Sequence, residues 1–309
     1  MKILITGGAG FIASHVADLY INNGHEVAVV DNLSTGKKEF VNPKAKFYQA
    51  DITDQQAIEN IIAEFKPEVL NLHAAHIQVG YSVENPQFDA QNNILGLLNL
   101  MQSAQKHNVK KVIMASTGGA MYGNKQTPFS ETMKEEPLSP YGVSKRAGEL
   151  YLNYFYQQYG IEFIALRYSN VYGPRQNAHG ESGVIAIFAE KMAEGITPVI
   201  NGDGTHTRDY VFVKDVAQAN LLALNCSYIG AINIGTKTEV STNQVYQEVA
   251  KEFGISTQPK YGPPRPGEQV TSSLDYSLAK QELNWQPTIE FHQGVKQVVA
   301  WYKTRSNKE

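Results

Sequence analysis

Tyr141 and Lys145 stand four residues apart in "SPYGVSKRAGELYLNYF", so a helix over this stretch places both on one face. A free tyrosine ionises near pH 10, and holding it as phenolate at pH 7 takes about 4 kcal/mol of electrostatic help. A lysine ammonium one turn away, together with a cationic cofactor ring, is a suitable source. The pair is therefore a candidate proton-transfer unit, although Tyr and Lys at this spacing are also common on amphipathic helices. A glycine cluster gives the pair its weight. "TGGAGFIA" follows the apolar run "KILI", with Gly7, Gly10 and Ala13 at the small positions of a Gly-x-x-Gly-x-x-Gly/Ala turn. Small residues there let a pyrophosphate approach a helix N-terminus, whose free N–H groups and dipole favour anions. Asp31 lies 21 residues after Gly10, where a carboxylate accepts from a ribose 2′-OH and repels a 2′-phosphate. Together they point to a dinucleotide, NAD over NADP, with Lys37 and Lys38 as a mild counter-signal. A third stretch, "STGGAMYG", ends the apolar run "KKVIMA" with two hydroxyls, Ser116 and Thr117. It reads either as a plain turn or as a hydroxyl-bearing loop at the mouth of a site.

Short apolar runs must carry these residues: "KILIT", "EVAVVD", "AKFYQAD", "EVLNLHAA", "VKKVIMAS" and "IEFIALRYS". Between them lie segments of helical spacing, among them "FIASHVADLYINNG", "QQAIENIIAEF" and "NILGLLNLMQSAQKHN". Alternation of this kind predicts βαβ units: an α/β fold with a Rossmann-type doubly wound parallel sheet covered on both faces. After about residue 172 the chain turns loop-rich, as in "YGPRQNAHGESG", "NGDGTHTRDY" and "YGPPRPGEQ". The expected division is a dinucleotide-binding domain over 1–172 and a smaller, mostly substrate-binding region over 173–309. The stretch 208–238 is expected to return to the first domain.

Over 309 residues, 42% hydrophobic and 18% charged content is ordinary for a globular protein with a substantial core. The net charge of −3 is spread without long blocks of one sign, which speaks against nucleic-acid or membrane-surface partners. The one cysteine, Cys226, has no internal disulfide partner, which fits a reducing compartment. No stretch reaches a membrane span and the N-terminal run is too short for a signal peptide, so the expected location is the cytoplasm. His73 and His76 lie on an extended segment without an Asp/Glu/Cys cluster beside them, and no metal is expected.

The ordered set "TGGAGFIA", "DNLSTG", "HAAH", "YGVSK", "LRYSNVYGPRQ" and "RDYVFVKDV" resembles the extended short-chain dehydrogenase/reductase family, closest to its UDP-glucose 4-epimerase branch. The resemblance runs from Met1 to about Trp301. It implies bound NAD, a UDP-sugar substrate in the C-terminal region, and a homodimer packed through helices near residues 89–107 and 141–159. It further implies cofactor contacts from Gly7, Gly10, Phe11, Ile12, Asp31, Asn32, Ser34, Asp51, Ile52, Ala74, Ala75, Asn93, Tyr141, Lys145 and Tyr168. Asp51 equally suits a helix N-cap. Substrate contacts fall to Thr117, Tyr141, Asn170, Val184, Arg208, Arg265, Glu268 and Ser272. Two arginines converging on a diphosphate make chemical sense, because guanidinium forks match phosphate oxygens.

The family's chemistry implies that Tyr141 takes the proton of the sugar 4-OH as a hydride leaves C4 for NAD. The 4-keto sugar then turns and is reduced on its other face, with Lys145 lowering the tyrosine pKa. The family carries a Ser or Thr four residues before the loop tyrosine, here Tyr122. That position is Gly118, so Thr117 is the first candidate for the hydroxyl and Ser116 the second, on a path that glycine's tolerance of φ > 0 permits. Dehydratases of the family carry an Asp-Glu pair in this loop, where this chain has Gly118, Gly119, Ala120 and Met121. A UDP-glucuronate epimerase or decarboxylase remains an alternative, as does a non-catalytic NAD-sensing scaffold, though the latter would not need Tyr141 and Lys145. At Ser272, members confined to plain UDP-hexoses carry a bulky tyrosine, so a serine implies room for a 2-acetamido group.

Overall fold

The computed structural model describes residues 1–178, 183–264 and 269–306. Seven strands form its central sheet: β1 (Lys2–Thr6), β2 (Glu26–Asp31), β3 (Lys46–Gln49), β4 (Val69–Leu72), β5 (Lys111–Thr117), β6 (Glu162–Tyr168) and β7 (Gly230–Ile234). They lie side by side as β7-β6-β5-β4-β1-β2-β3, every pair parallel. Alternate residues of each strand face opposite sides, so continuous apolar runs fill two cores. Ile3, Ile5, Val27, Val29 and Ile113 pack under the helices Phe11–Asn22 and Val213–Ala223. Leu4, Ala28, Val30, Leu70 and Val112 pack under Gln55–Phe65 and Gly96–Lys106. Strand order reverses between β1 and β4, and in such sheets the crevice beyond the carboxyl ends at the reversal receives ligands.

A third core joins the helices Val184–Ala193, Thr242–Phe253 and Phe291–Ser306 around Phe188, Tyr246 and Val298. The stretch after Arg208 is divided. Tyr210–Phe212 pairs with Asn170–Tyr172 in a small parallel ribbon, Val213–Ala223 packs on the central sheet, and β7 joins that sheet beside β6. The segment "NILGLLNLMQSAQKHN" is not one uniform helix. A π-helical turn, Gln91–Leu95, precedes the α-helix Gly96–Lys106, a local widening often found beside functional sites. Among the described residues no helix is long and apolar enough to cross a membrane.

Candidate active site

The carboxyl-end loops of the sheet surround a cleft of about 620 Å³. Gly7, Gly10, Phe11, Ile12, Asp31, Asn32, Ser34, Asp51, Ile52, Ala74, Ala75, Ser116, Tyr141, Lys145 and Tyr168 all line it. Gly7 sits at φ 69, and a Cβ there would lie 2.8 Å from the Ala74 nitrogen, so the β1 turn and the β4 exit touch backbone to backbone. Gly10 caps the helix Phe11–Asn22 without any side-chain bond, leaving the first-turn N–H groups for an anion. Asp31 ends β2 with its carboxylate fixed by the N–H groups of Ala9 (2.9 Å) and Leu33 (2.8 Å). Asn32 Nδ2 donates to Asp51 Oδ2 at 2.7 Å, and Ser34 N–H donates to Asn32 Oδ1 at 2.9 Å. Burial works to raise Asp51, but bonds from Thr53 and Asn32 outweigh it and hold the carboxyl below its ordinary value. The N-cap of the next helix is Asp54, which accepts from Ala57 N–H, so Asp51 is free of that duty. A volume of this size, a glycine cradle without side chains and a carboxylate at the second strand's end fit a dinucleotide.

Helix Pro140–Tyr159 starts at Ser139, whose side chain accepts from Gly142 N–H, has proline at its first position, and stops at Gly160 in the left-handed region. It sets Lys145 Nζ 5.8 Å from the Tyr141 ring centroid and 2.9 Å from the Ala115 carbonyl, to which it donates. The Thr117 side chain, which accepts from Ala120 N–H at 3.2 Å, lies beside the Tyr141 phenol and favours its ionised form. Burial raises the Tyr141 phenol well above its usual range, a shift that Thr117 opposes and the charge of Asp89 adds to. Burial pulls Lys145 down to about 8 against the carboxylates of Asp89 and Glu149.

Ser116 and Thr117, consecutive on β5, pair with Arg167 and Tyr168 and project to opposite sides. Ser116 Oγ donates to Glu149 Oε1 at 2.7 Å, so Thr117 is the hydroxyl that reaches the phenol. Glu149 also accepts two bonds from the buried Arg167, from Nε at 2.9 Å and Nη2 at 2.6 Å. Asp89, fully buried, accepts from Ser144 Oγ at 2.5 Å and Asn93 Nδ2 at 2.8 Å. Sequence reading missed both carboxylates. Glu149 was open to discovery, lying one further turn along the face that carries Tyr141 and Lys145; Asp89 carried no local signal.

Asn93 does not line the cleft. Its amide clamps the exit of β4, accepting from His76 N–H and donating to the His76 carbonyl, both at 2.8 Å, while Asn92 lines the cleft instead. Thr117, Asn170, Val184, Arg208 and Ser272 also lie off the lining, and Arg265 and Glu268 fall outside the described residues. Ser272 is buried, and a Cβ on Gly119 would come 4.0 Å from its hydroxyl. Gly118 and Gly119 do not occupy the left-handed region. Space explains Gly118: a Cβ there would lie 2.4 Å from Leu274 Cδ1. His73 and His76 diverge, His73 bonding the Tyr168 hydroxyl at 3.2 Å and His76 packing on Tyr81 and Phe88. Burial and the charge of Lys145 hold His73 neutral, its pKa lowered to about 3. Among the described residues no three His, Cys, Asp or Glu side chains gather as a metal site.

A profile of the NAD dependent epimerase/dehydratase family matches residues 3–235. The chain belongs to that family. Among its family relatives, the UDP-glucose 4-epimerase of Mycolicibacterium smegmatis is 41% identical over 313 residues, 99% of this chain and 100% of the relative. The crystal structure of UDP-glucose 4-epimerase with UDP-glucose from Thermotoga maritima superposes with TM-score 0.96 at 45% identity, covering all of both chains. A UDP-N-acetylglucosamine 4-epimerase from Methanobrevibacter ruminantium, in complex with UDP-N-acetylmuramic acid, superposes with TM-score 0.93 at 32% identity over 98% of each chain.

Proposed function

We propose that the chain is an NAD-dependent isomerase that inverts C4 of a UDP-hexose, interconverting UDP-glucose and UDP-galactose through a 4-keto sugar. The observation that carries this reading is the Tyr141–Thr117–Lys145 cluster at the end of the cleft, beside a loop without carboxylates. NAD, when bound, supplies the acceptor and donor of the C4 hydride. Tyr141 holds and returns the 4-OH proton, and the Thr117 hydroxyl beside it shares that proton with the substrate. Lys145 presents its ammonium beside the phenol and makes the phenolate accessible. Elimination of water needs a carboxylic acid and base in the 118–121 loop, and the buried Asp89 is spent on Ser144 and Asn93. Incubation with UDP-glucose tests the reading: UDP-galactose is expected, and no conversion by NAD-loaded protein overturns it.

In this reading residues 1–172, with 208–238, hold the dinucleotide and most of the remainder of 173–309 holds the nucleotide-sugar, while Asn170, Val184, Arg208, Arg265 and Glu268, drawn from both parts, contact the UDP portion. The small side chain of Ser272, where a tyrosine would be bulky, supports room for a 2-acetamido group, and turnover of UDP-GalNAc beside UDP-galactose tests it. A homodimer is supported by an exposed apolar stripe, Val143, Leu150, Tyr151 and Tyr154, on the helix beside Gly96–Lys106, with Leu95 exposed next to it. The single cysteine supports a reducing compartment, and the cytoplasm is the proposed location.

A further inference from the structure

One wall of the dinucleotide cleft comes from the second half of the chain. Arg175, Gln176 and Trp301 line the same space as Gly10, Asp31 and Lys37. Two sets of contacts hold this wall against the N-terminal half. On one side, His15 Nε2 meets the Pro174 carbonyl at 2.9 Å, and Arg175 pairs with Asp18 at 2.8 Å while lying 5.8 Å from the Phe40 ring centroid. On the other, Arg305 pairs with Glu39 at 3.1 Å and lies 4.9 Å from the Trp301 ring centroid. His15 and Asp18 belong to the helix whose N-terminus opens on the cleft, and Glu39 and Phe40 to the 3₁₀ turn Lys38–Phe40 that follows the Asp31 loop.

The wall is built to a fixed shape. Arg175 sits at φ 70, a conformation that a residue with a side chain keeps only when its surroundings impose it. The Arg175 Nη1 that pairs with Asp18 is buried, and beside it Gln176 Oε1 is a buried acceptor with no hydrogen-bond partner among the described residues. A cation anchored by one carboxylate thus stands next to an unspent acceptor on the cleft's far wall, where a polar ligand would meet them.

We propose that Arg175, with Phe40 and Trp301, forms a clasp that retains the dinucleotide, Arg175 being its cationic jaw toward the cofactor's diphosphate. This rests on the dinucleotide reading of the cleft. Leaving then requires the Arg175–Asp18 and Arg305–Glu39 pairs to part, so the substrate half of the chain governs cofactor exchange.

The test is the release rate of bound NAD from the full-length protein, followed by fluorescence on exchange against excess etheno-NAD. Loss of a desolvated, charge-assisted contact predicts release at least about tenfold faster in Arg175→Ala. Asp18→Asn, which keeps the guanidinium but loosens its anchor, gives a smaller rise. The exposed Arg305–Glu39 pair predicts about a two- to threefold rise in Arg305→Ala. Release within twofold of the unaltered chain in Arg175→Ala, with an unchanged melting temperature of the NAD-free protein, overturns the clasp. Should Arg175→Ala fail to fold, unchanged release in both Asp18→Asn and Arg305→Ala overturns it equally. An unaltered chain that binds no dinucleotide sinks the functional reading as well, which separates the two failures.

Discussion

Replacing Thr117 by valine keeps the β-branched shape on β5 and removes the hydroxyl beside the Tyr141 phenol. In the reaction that hydroxyl donates to a phenolate, and a hydrogen bond to a charged group contributes about 1.5–3 kcal/mol net. At 1.36 kcal/mol per factor of ten, kcat should fall about 10- to 150-fold in Thr117→Val. Ser116→Ala is the matched control. Its hydroxyl serves Glu149, which keeps both bonds from Arg167, so the loss should appear as about 1 kcal/mol of stability with kcat within about threefold. The assay couples UDP-galactose turnover to UDP-glucose dehydrogenase and reads NADH absorbance at saturating substrate; urea midpoints report stability. A Ser116→Ala variant that loses more than tenfold in kcat while Thr117→Val stays within twofold would refute the placement of the loop hydroxyl.

Lys145 is held down to about 8 by burial, whereas an unfolded lysine keeps its proton to about 10.4, so between these values the unfolded chain binds more protons. Stability of the NAD-free protein should therefore rise with pH across that window, by up to roughly 3 kcal/mol from this group. Lys145→Met should remove the rise, as urea midpoints at the two ends of the window will show. Gly7→Ala forces a side chain into a left-handed turn 2.8 Å from backbone, and should cost about 1–3 kcal/mol in strain and abolish NAD copurification, read from the protein's absorbance ratio. Leu150→Glu places a charge in the exposed apolar stripe, and sedimentation should find a monomer for the variant against a dimer expected for the unaltered chain.

What the sequence discloses here depends on how far apart the cooperating residues lie. The turn after β1 is a local object: strand, Gly7, Gly10 and helix start follow one another, and Asp31 closes the next strand, so a short stretch carries the whole signal. Tyr141 and Lys145 are likewise legible, because helical spacing alone joins them. The residues that tune them are joined only through the fold. Asp89 acts through Ser144 and Asn93, three residues whose meeting depends on how the helix Pro140–Tyr159 lies against the π-helical turn. Gly118 is small because Leu274 fills the space beside it, a contact made across more than 150 residues of chain. Arg175 and Trp301 reach the dinucleotide cleft from the half of the chain whose composition speaks only of loops and amphipathic helices.

The choice between Ser116 and Thr117 stands between these cases. Both hydroxyls were visible, and strand parity guarantees that only one can face a given side. Deciding which one requires knowing what lies on each side of β5, and that is set by the buried Arg167–Glu149 pair occupying the Ser116 side. An ion pair placed there engages the Ser116 hydroxyl, leaving Thr117 on the side of the phenol. The catalytic assignment thus follows from a structural pair that does no chemistry itself. If Thr117→Val proves silent, the side of β5 that faces Tyr141 has been misassigned, and with it the role of Glu149 as the residue that fixes it.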